Sequence, residues 1–183
     1  MQLASFARQL GRLLEGVVIV LMISLTALVV TAVIYRKLGA SLSWYDEVAS
    51  IMLAWLTYYG AALAALRRAH IGFDGLLFSL PGRTRMLVAA LAEVAVFAFF
   101  AVLAWMGWRV LQVLSGVSLI SLTWVPVQVT QSVIPVGAVL FMVAEALSLP
   151  AYWERLRAGI SEEHVDLSDF VENDEAMNGG GRK

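Results

Sequence analysis

Residues 43–74 read SWYDEVASIMLAWLTYYGAALAALRRAHIGFD. The middle of this stretch, Val48 to Leu66, holds no charged residue and no proline. At about 1.5 Å of helical rise per residue it is just long enough to cross the hydrocarbon core of a bilayer. Its ends differ chemically, with Trp44, Asp46 and Glu47 before the apolar run and Arg67, Arg68 and His70 after it. Acids at a helix N-terminus and bases at its C-terminus suit the macrodipole, and Ser43 with Asp46 fits a capping pattern. A well-capped helix end is therefore one reading of the acidic pair, and a contact with another protein is the other.

The rest of the chain has the same character. Of its 183 residues 60% are hydrophobic and 15% charged, with a mean hydropathy of +0.79, too apolar for a soluble domain of this length. One all-α membrane domain is expected. With no cysteine, disulfides, thiolate metal sites and iron–sulfur centres are excluded. Basic residues are scattered through the first 157 positions, so no nucleic-acid partner is expected, whereas 162–175 carries seven acids and no Lys or Arg. Such a tail, within 158–183, offers too little apolar surface to offset the entropy of ordering it.

Outward from the opening stretch, residues 1–15 place Leu3, Phe6, Leu10 and Leu13/Leu14 at helical spacing. They read as an amphipathic lead-in at the membrane surface. An uncharged run follows from Gly16 to Ile34, too long for a signal peptide despite a weak cleavage pattern at Val30-Thr31-Ala32, so a retained first span is expected. The second helix is rich in small residues spaced by four (Ser50/Ala54, Gly60/Ala64, Ala61/Ala65), which lets backbones approach in lipid. Residues 67–85 form a polar loop with an interfacial turn at Leu76–Leu80. The third span, 86–108, contains Glu93. The fourth covers about 125–149, with Pro126 in its first turn, Pro135 expected to kink or break it, and Pro150 expected to end it. The apolar domain thus covers 16–157, with spans near 16–34, 48–66, 86–108 and 125–149.

Eight Lys and Arg residues fall on one side of these spans (Arg8, Arg12, Arg67, Arg68, Arg83, Arg85, Arg155, Arg157) and three on the other (Arg36, Lys37, Arg109). The positive-inside rule then puts both termini in the cytoplasm, and Tyr35, Trp44, Tyr45, Trp105, Trp108 and Trp124 at the outer interface agree.

Chemistry-bearing residues are few. Glu93 and Glu145 are intramembrane acids, the usual pointer to a transport path, but equally a carboxyl group satisfied by a neighbouring helix or a partner. Gln128 and Gln131 suit interhelical hydrogen bonds. His70 and His164 both lie outside the spans, so bis-histidine haem ligation within a bundle is excluded by residue count. No phosphate loop, nucleophile elbow or metal-spaced cluster is present. No enzyme and no cofactor are expected. An independent small transporter or channel, alone or as a homo-oligomer, with Glu93 lining its path is the rival to a subunit role.

Trp44-x-Asp46-Glu47, Trp55, Gly60 and the RRAHIGFD run with His70, Ile71 and Asp74 together resemble the small membrane subunit, DctQ type, of tripartite ATP-independent periplasmic (TRAP) transporters. Val125-Pro126 and Ile134-Pro135-Val136-Gly137 are similar to that family's last helix, and the resemblance covers roughly residues 10–155. It implies a multi-pass protein of the bacterial inner membrane that does not itself bind solute. It also implies a large multi-span permease subunit, sodium-coupled and moving organic acids such as dicarboxylates by an elevator motion. A periplasmic solute-binding protein completes the system. Under this resemblance Trp44, Asp46, Glu47, Trp55, Gly60, His70 and Asp74 become candidates for partner contact.

Overall fold

A computed structural model describes residues 2–68 and 80–158, with side chains from Ser5. Five helices follow in order: α1 (Gln2–Lys37), α2 (Tyr45–Leu66), α3 (Gly82–Val113), the short α4 (Val127–Gln131) and α5 (Val133–Ala158). Four segments are long and apolar enough to cross a membrane, the last formed by α4 and α5 together. The all-α, four-span expectation is met. The interfacial turn expected at 76–80 and the acidic tail lie almost entirely outside the described residues.

The described residues divide into two compact units, 2–68 with 96–148, and 80–95 with 149–158. In the first, the lead-in and first span form one unbroken helix of 36 residues, about 54 Å by helical rise. In a run this apolar, sequence alone cannot say which face is inward. The structure does: Leu10, Leu14, Val17, Leu21, Leu25, Leu28 and Ala32 are buried or half-buried, while Phe6, Ile19, Ile23 and Val30 stay exposed. The inward residues recur at three or four positions, one helical stripe. Leu14 meets Ala62, Ala65, Phe141 and Ala144 in the core, with Leu10, Leu66, Val96 and Phe100 packed around them. Phe100 and Phe141 stack at 3.8 Å between ring centroids.

Two glycines set how closely the last span approaches. A Cβ on Gly137 would lie 2.7 Å from the Tyr58 Cβ, and one on Gly107 would lie 3.0 Å from Pro135 Cδ. Small residues at such crossings let helices exchange lipid contacts for backbone packing. The expected break at Pro135 appears between α4 and α5, at Ser132. Proline has no N–H for the Gln131 carbonyl four residues back, and here the helix is interrupted one turn before it. Pro126 sits at the N-cap of α4 instead of within its first turn. Pro150 does not end the helix as expected; α5 continues to Ala158. Its missing bond lies where the apolar run gives way to polar sequence, where water can serve the freed carbonyl.

The second unit holds the start of α3 and the end of α5. Ala89 and Leu156 are its buried apolar residues, and Tyr152 and Trp153 meet edge to face at 6.2 Å.

Candidate functional site

The N-terminal end of α2 carries Trp44, Asp46 and Glu47. Trp44 occupies the N-cap position without a side-chain bond, and Ser43 does not cap the helix. Because α2 begins at Tyr45, Ser43 lies one residue too early; its carbonyl instead accepts a 3.4 Å hydrogen bond from Ser121 Oγ. Asp46 is exposed, whereas Glu47 turns to the connection between α3 and α4. The backbone N–H groups of Ile120 and Ser121 donate to Glu47 Oε1 and Oε2 at 3.1 and 2.8 Å. Two adjacent N–H groups on one carboxylate make a charge-assisted clamp. The acids that look paired in sequence thus differ: Glu47 holds its own chain, and Asp46 faces outward.

In the middle of α2, Trp55 Nε1 donates to the Thr130 carbonyl at 2.9 Å and meets Tyr59 edge to face. Thr130 lies near the end of the five-residue α4, where carbonyls lack helical partners, so the indole satisfies an otherwise costly buried acceptor. Gly60 differs from Gly107 and Gly137, since a Cβ there would meet nothing within 4 Å.

At the C-terminal end, two consecutive arginines reach two different helices. Arg67 pairs with Glu15 of α1 at 2.9 Å, with both side chains about half exposed. Arg68 pairs with Glu145 of α5 at 2.9 Å, where the carboxyl side chain is only 7% exposed. Its Nε also donates to Ser148 Oγ, which in turn donates to the Glu145 carbonyl. Arg68 adopts φ 52°, left-handed backbone rarely taken by a non-glycine residue and costing about 1–2 kcal/mol. This turn ends α2 in the manner of a left-handed C-terminal cap and sends the guanidinium toward α5. The pair with Glu145 and Ser148 offsets the strain.

Glu145 thus lies beside a base supplied by another helix end. Glu93 is half-buried on α3, in the other unit. His70 and Asp74 lie outside the described residues. Among the described residues no three His, Cys, Asp or Glu side chains gather in a group that could hold a metal ion. Sequence reasoning named Arg68 only as a base at a helix end and missed Ser148, Glu15 and Thr130. The available signal was electrostatic: an acid near the end of an apolar span needs a base, and Arg68 stood directly after another span.

The arrangement is one of braces, with α2 tied at its start to the α3–α4 connection, at its middle to α4, and at its end to α1 and α5. Comparison with curated protein sequences finds no match. A family model does match, over residues 25–155: the DctQ component of tripartite ATP-independent periplasmic transporters, a transporter component and not an enzyme family. With that match across most of its length and four helices able to cross a membrane, the chain belongs to the DctQ family, as a small multi-pass membrane subunit of a TRAP transporter.

Proposed function

We propose that this chain is the static scaffold of its transporter, holding a large multi-span permease subunit that carries organic acids coupled to sodium and receives them from a periplasmic binding protein. The observation that carries this reading is where the polar side chains of the first unit end. Glu47, Trp55, Arg67 and Arg68 each contact another segment of the same chain. Groups spent on bracing suit a rigid frame, whereas a transport path needs ionisable groups free to exchange ligands. Large apolar side chains on α1 and α3, among them Ile19, Ile23, Phe99, Val102 and Met106, remain exposed and supply area for lipid and a membrane partner. Gly60, where a Cβ would meet nothing within 4 Å, and Asp46, exposed beside Tyr45, are the candidates for direct partner contact, and Glu93 serves packing or partner contact instead of ion coupling.

We also place both termini in the cytoplasm of a bacterial inner membrane, supported by the eight-to-three basic bias and the aromatic belt. An alkaline phosphatase fusion at residue 117 should then be active and one at residue 75 inactive. In proteoliposomes, sodium-driven uptake should require the small subunit, the large subunit and the binding protein together. Uptake by this chain alone would overturn the scaffold reading.

A further inference from the structure

Residues 114–126, which connect α3 to α4, are built unlike a water-facing loop. No charged residue occurs between Arg109 and Glu145. Gly116, at φ 83°, reverses the chain after α3. A hairpin follows in which the Val127 N–H donates to the Val117 carbonyl at 2.9 Å and the Leu119 N–H donates to the Val125 carbonyl at 3.0 Å. Ser118 and Pro126 form an antiparallel bridge. At the tip, the Ile120 and Ser121 N–H groups are taken up by Glu47. Within the hairpin the Val117, Leu119, Ile120, Ser121 and Val125 N–H groups are satisfied by the protein, which lowers the cost for a non-helical segment of leaving bulk water.

The side chains point the same way. Leu119 is turned inward at 9% exposure, while its neighbour Ile120 is 92% exposed and Trp124 80%. No large apolar side chain among the described residues is more exposed than Ile120. The level of the tip follows from its partner. Glu47 lies in the first turn of α2, whose 22 residues span about 33 Å, close to the thickness of a hydrocarbon core. The first turn, and the hairpin bonded to it, therefore sit at a membrane boundary.

We propose that the 117–126 hairpin is an interfacial anchor, inserting Ile120 and Trp124 into the headgroup–acyl boundary of the bilayer. Tryptophan beside an aliphatic residue is the composition that this layer favours. A protein-binding tip would be expected to add a charged or polar rim for orientation, and this hairpin has only short hydroxyls at Ser118, Ser121 and Thr123. Having no charge, the anchor should insert equally into anionic and zwitterionic bilayers.

The absence of cysteine permits a direct test. Ile120→Cys and Trp124→Cys, each carrying a nitroxide, would be examined in the full chain in phosphatidylethanolamine/phosphatidylglycerol nanodiscs, with Lys37→Cys as the reference at a charged helix end. Both sites are exposed, so labelling removes little packing. Collisions with oxygen should exceed those with a water-soluble nickel complex several-fold at 120 and 124, with the opposite order at 37. The pattern should persist when phosphatidylglycerol is replaced by phosphatidylcholine, and in the complex with the large subunit. Nickel collisions exceeding those of oxygen at 120 and 124 would show a hydrated loop and overturn the anchor. Suppression of both collisions, in the chain alone or in the complex, would show cover by protein and overturn it equally. Neither result depends on which solute the transporter carries.

Discussion

The two ends of α2 are both tied down, but by different chemistry. At the start, one carboxylate, Glu47, holds two backbone N–H groups of a hairpin. At the finish, Arg67 and Arg68 hold two carboxylates on two helices. A backbone donor released at an exposed hairpin finds water or a headgroup. A carboxylate released in a buried setting finds neither, and its cost is the larger. The same element is thus braced adaptably at one end and rigidly at the other.

The sharpest way to break this comparison is Arg68→Ala. It removes the base 2.9 Å from Glu145, which is 5% exposed, and should cost about 3 kcal/mol, read as a lower thermal midpoint in detergent or lipid. Arg68→Met with Glu145→Leu should restore most of the loss, because a buried pair replaced as a pair by apolar groups costs little. Arg68→Gly should lose less than Arg68→Ala, since glycine relieves the left-handed backbone. Equal losses for glycine and alanine would remove strain from the account.

Gly137→Ala tests the middle of α2 by steric means alone. Its Cβ would press on Tyr58 backbone-proximal atoms that cannot swing away, so a loss of about 1–3 kcal/mol is expected. Gly60→Ala is its control and should leave the isolated chain unchanged, because nothing lies within 4 Å. A loss of large-subunit recovery with Gly60→Ala alone would mark that position as a partner contact.

Glu47→Ala should do less to the midpoint than either change. It should instead speed hydrogen exchange at the Ile120 and Ser121 amides, with the C-terminal end of α2 unaffected. Asp46→Lys, tested separately, reads partner contact without disturbing the hairpin; reversing both acids together would confound the two. Among the substitutions expected to cost stability, the smallest effect is that of Arg67→Ala, below about 1 kcal/mol, because its pair with Glu15 is half exposed. A cost matching that of Arg68→Ala would erase the distinction between the exposed and buried pairs.

The four spans were legible because apolar runs of membrane length, with at most one charge in each, need no tertiary information. The break at Pro135 was legible for a similarly local reason, a missing N–H. Which faces pack was not: in α1, Leu14 and Leu13 look alike in sequence, yet the first is 1% exposed and the second 63%. Ser43 and Pro150 misled because a cap depends on where the helix starts, and because Pro150 lies where polar sequence begins and water can serve the freed carbonyl, so the helix runs on. Asp46 and Glu47 were legible as chemically committed but not as different, since only the fold brings Ile120 and Ser121 to one of them.

The central claim, that the chain's buried charge is structural and transport chemistry resides elsewhere in the assembly, is tested most directly by sodium-dependent uptake in proteoliposomes. The complex would carry Arg68→Met and Glu145→Leu in the small subunit, with complex yield measured in the same preparation. Unchanged uptake and unchanged sodium dependence at normal yield are the predicted result; lost or sodium-independent uptake at normal yield would contradict the claim.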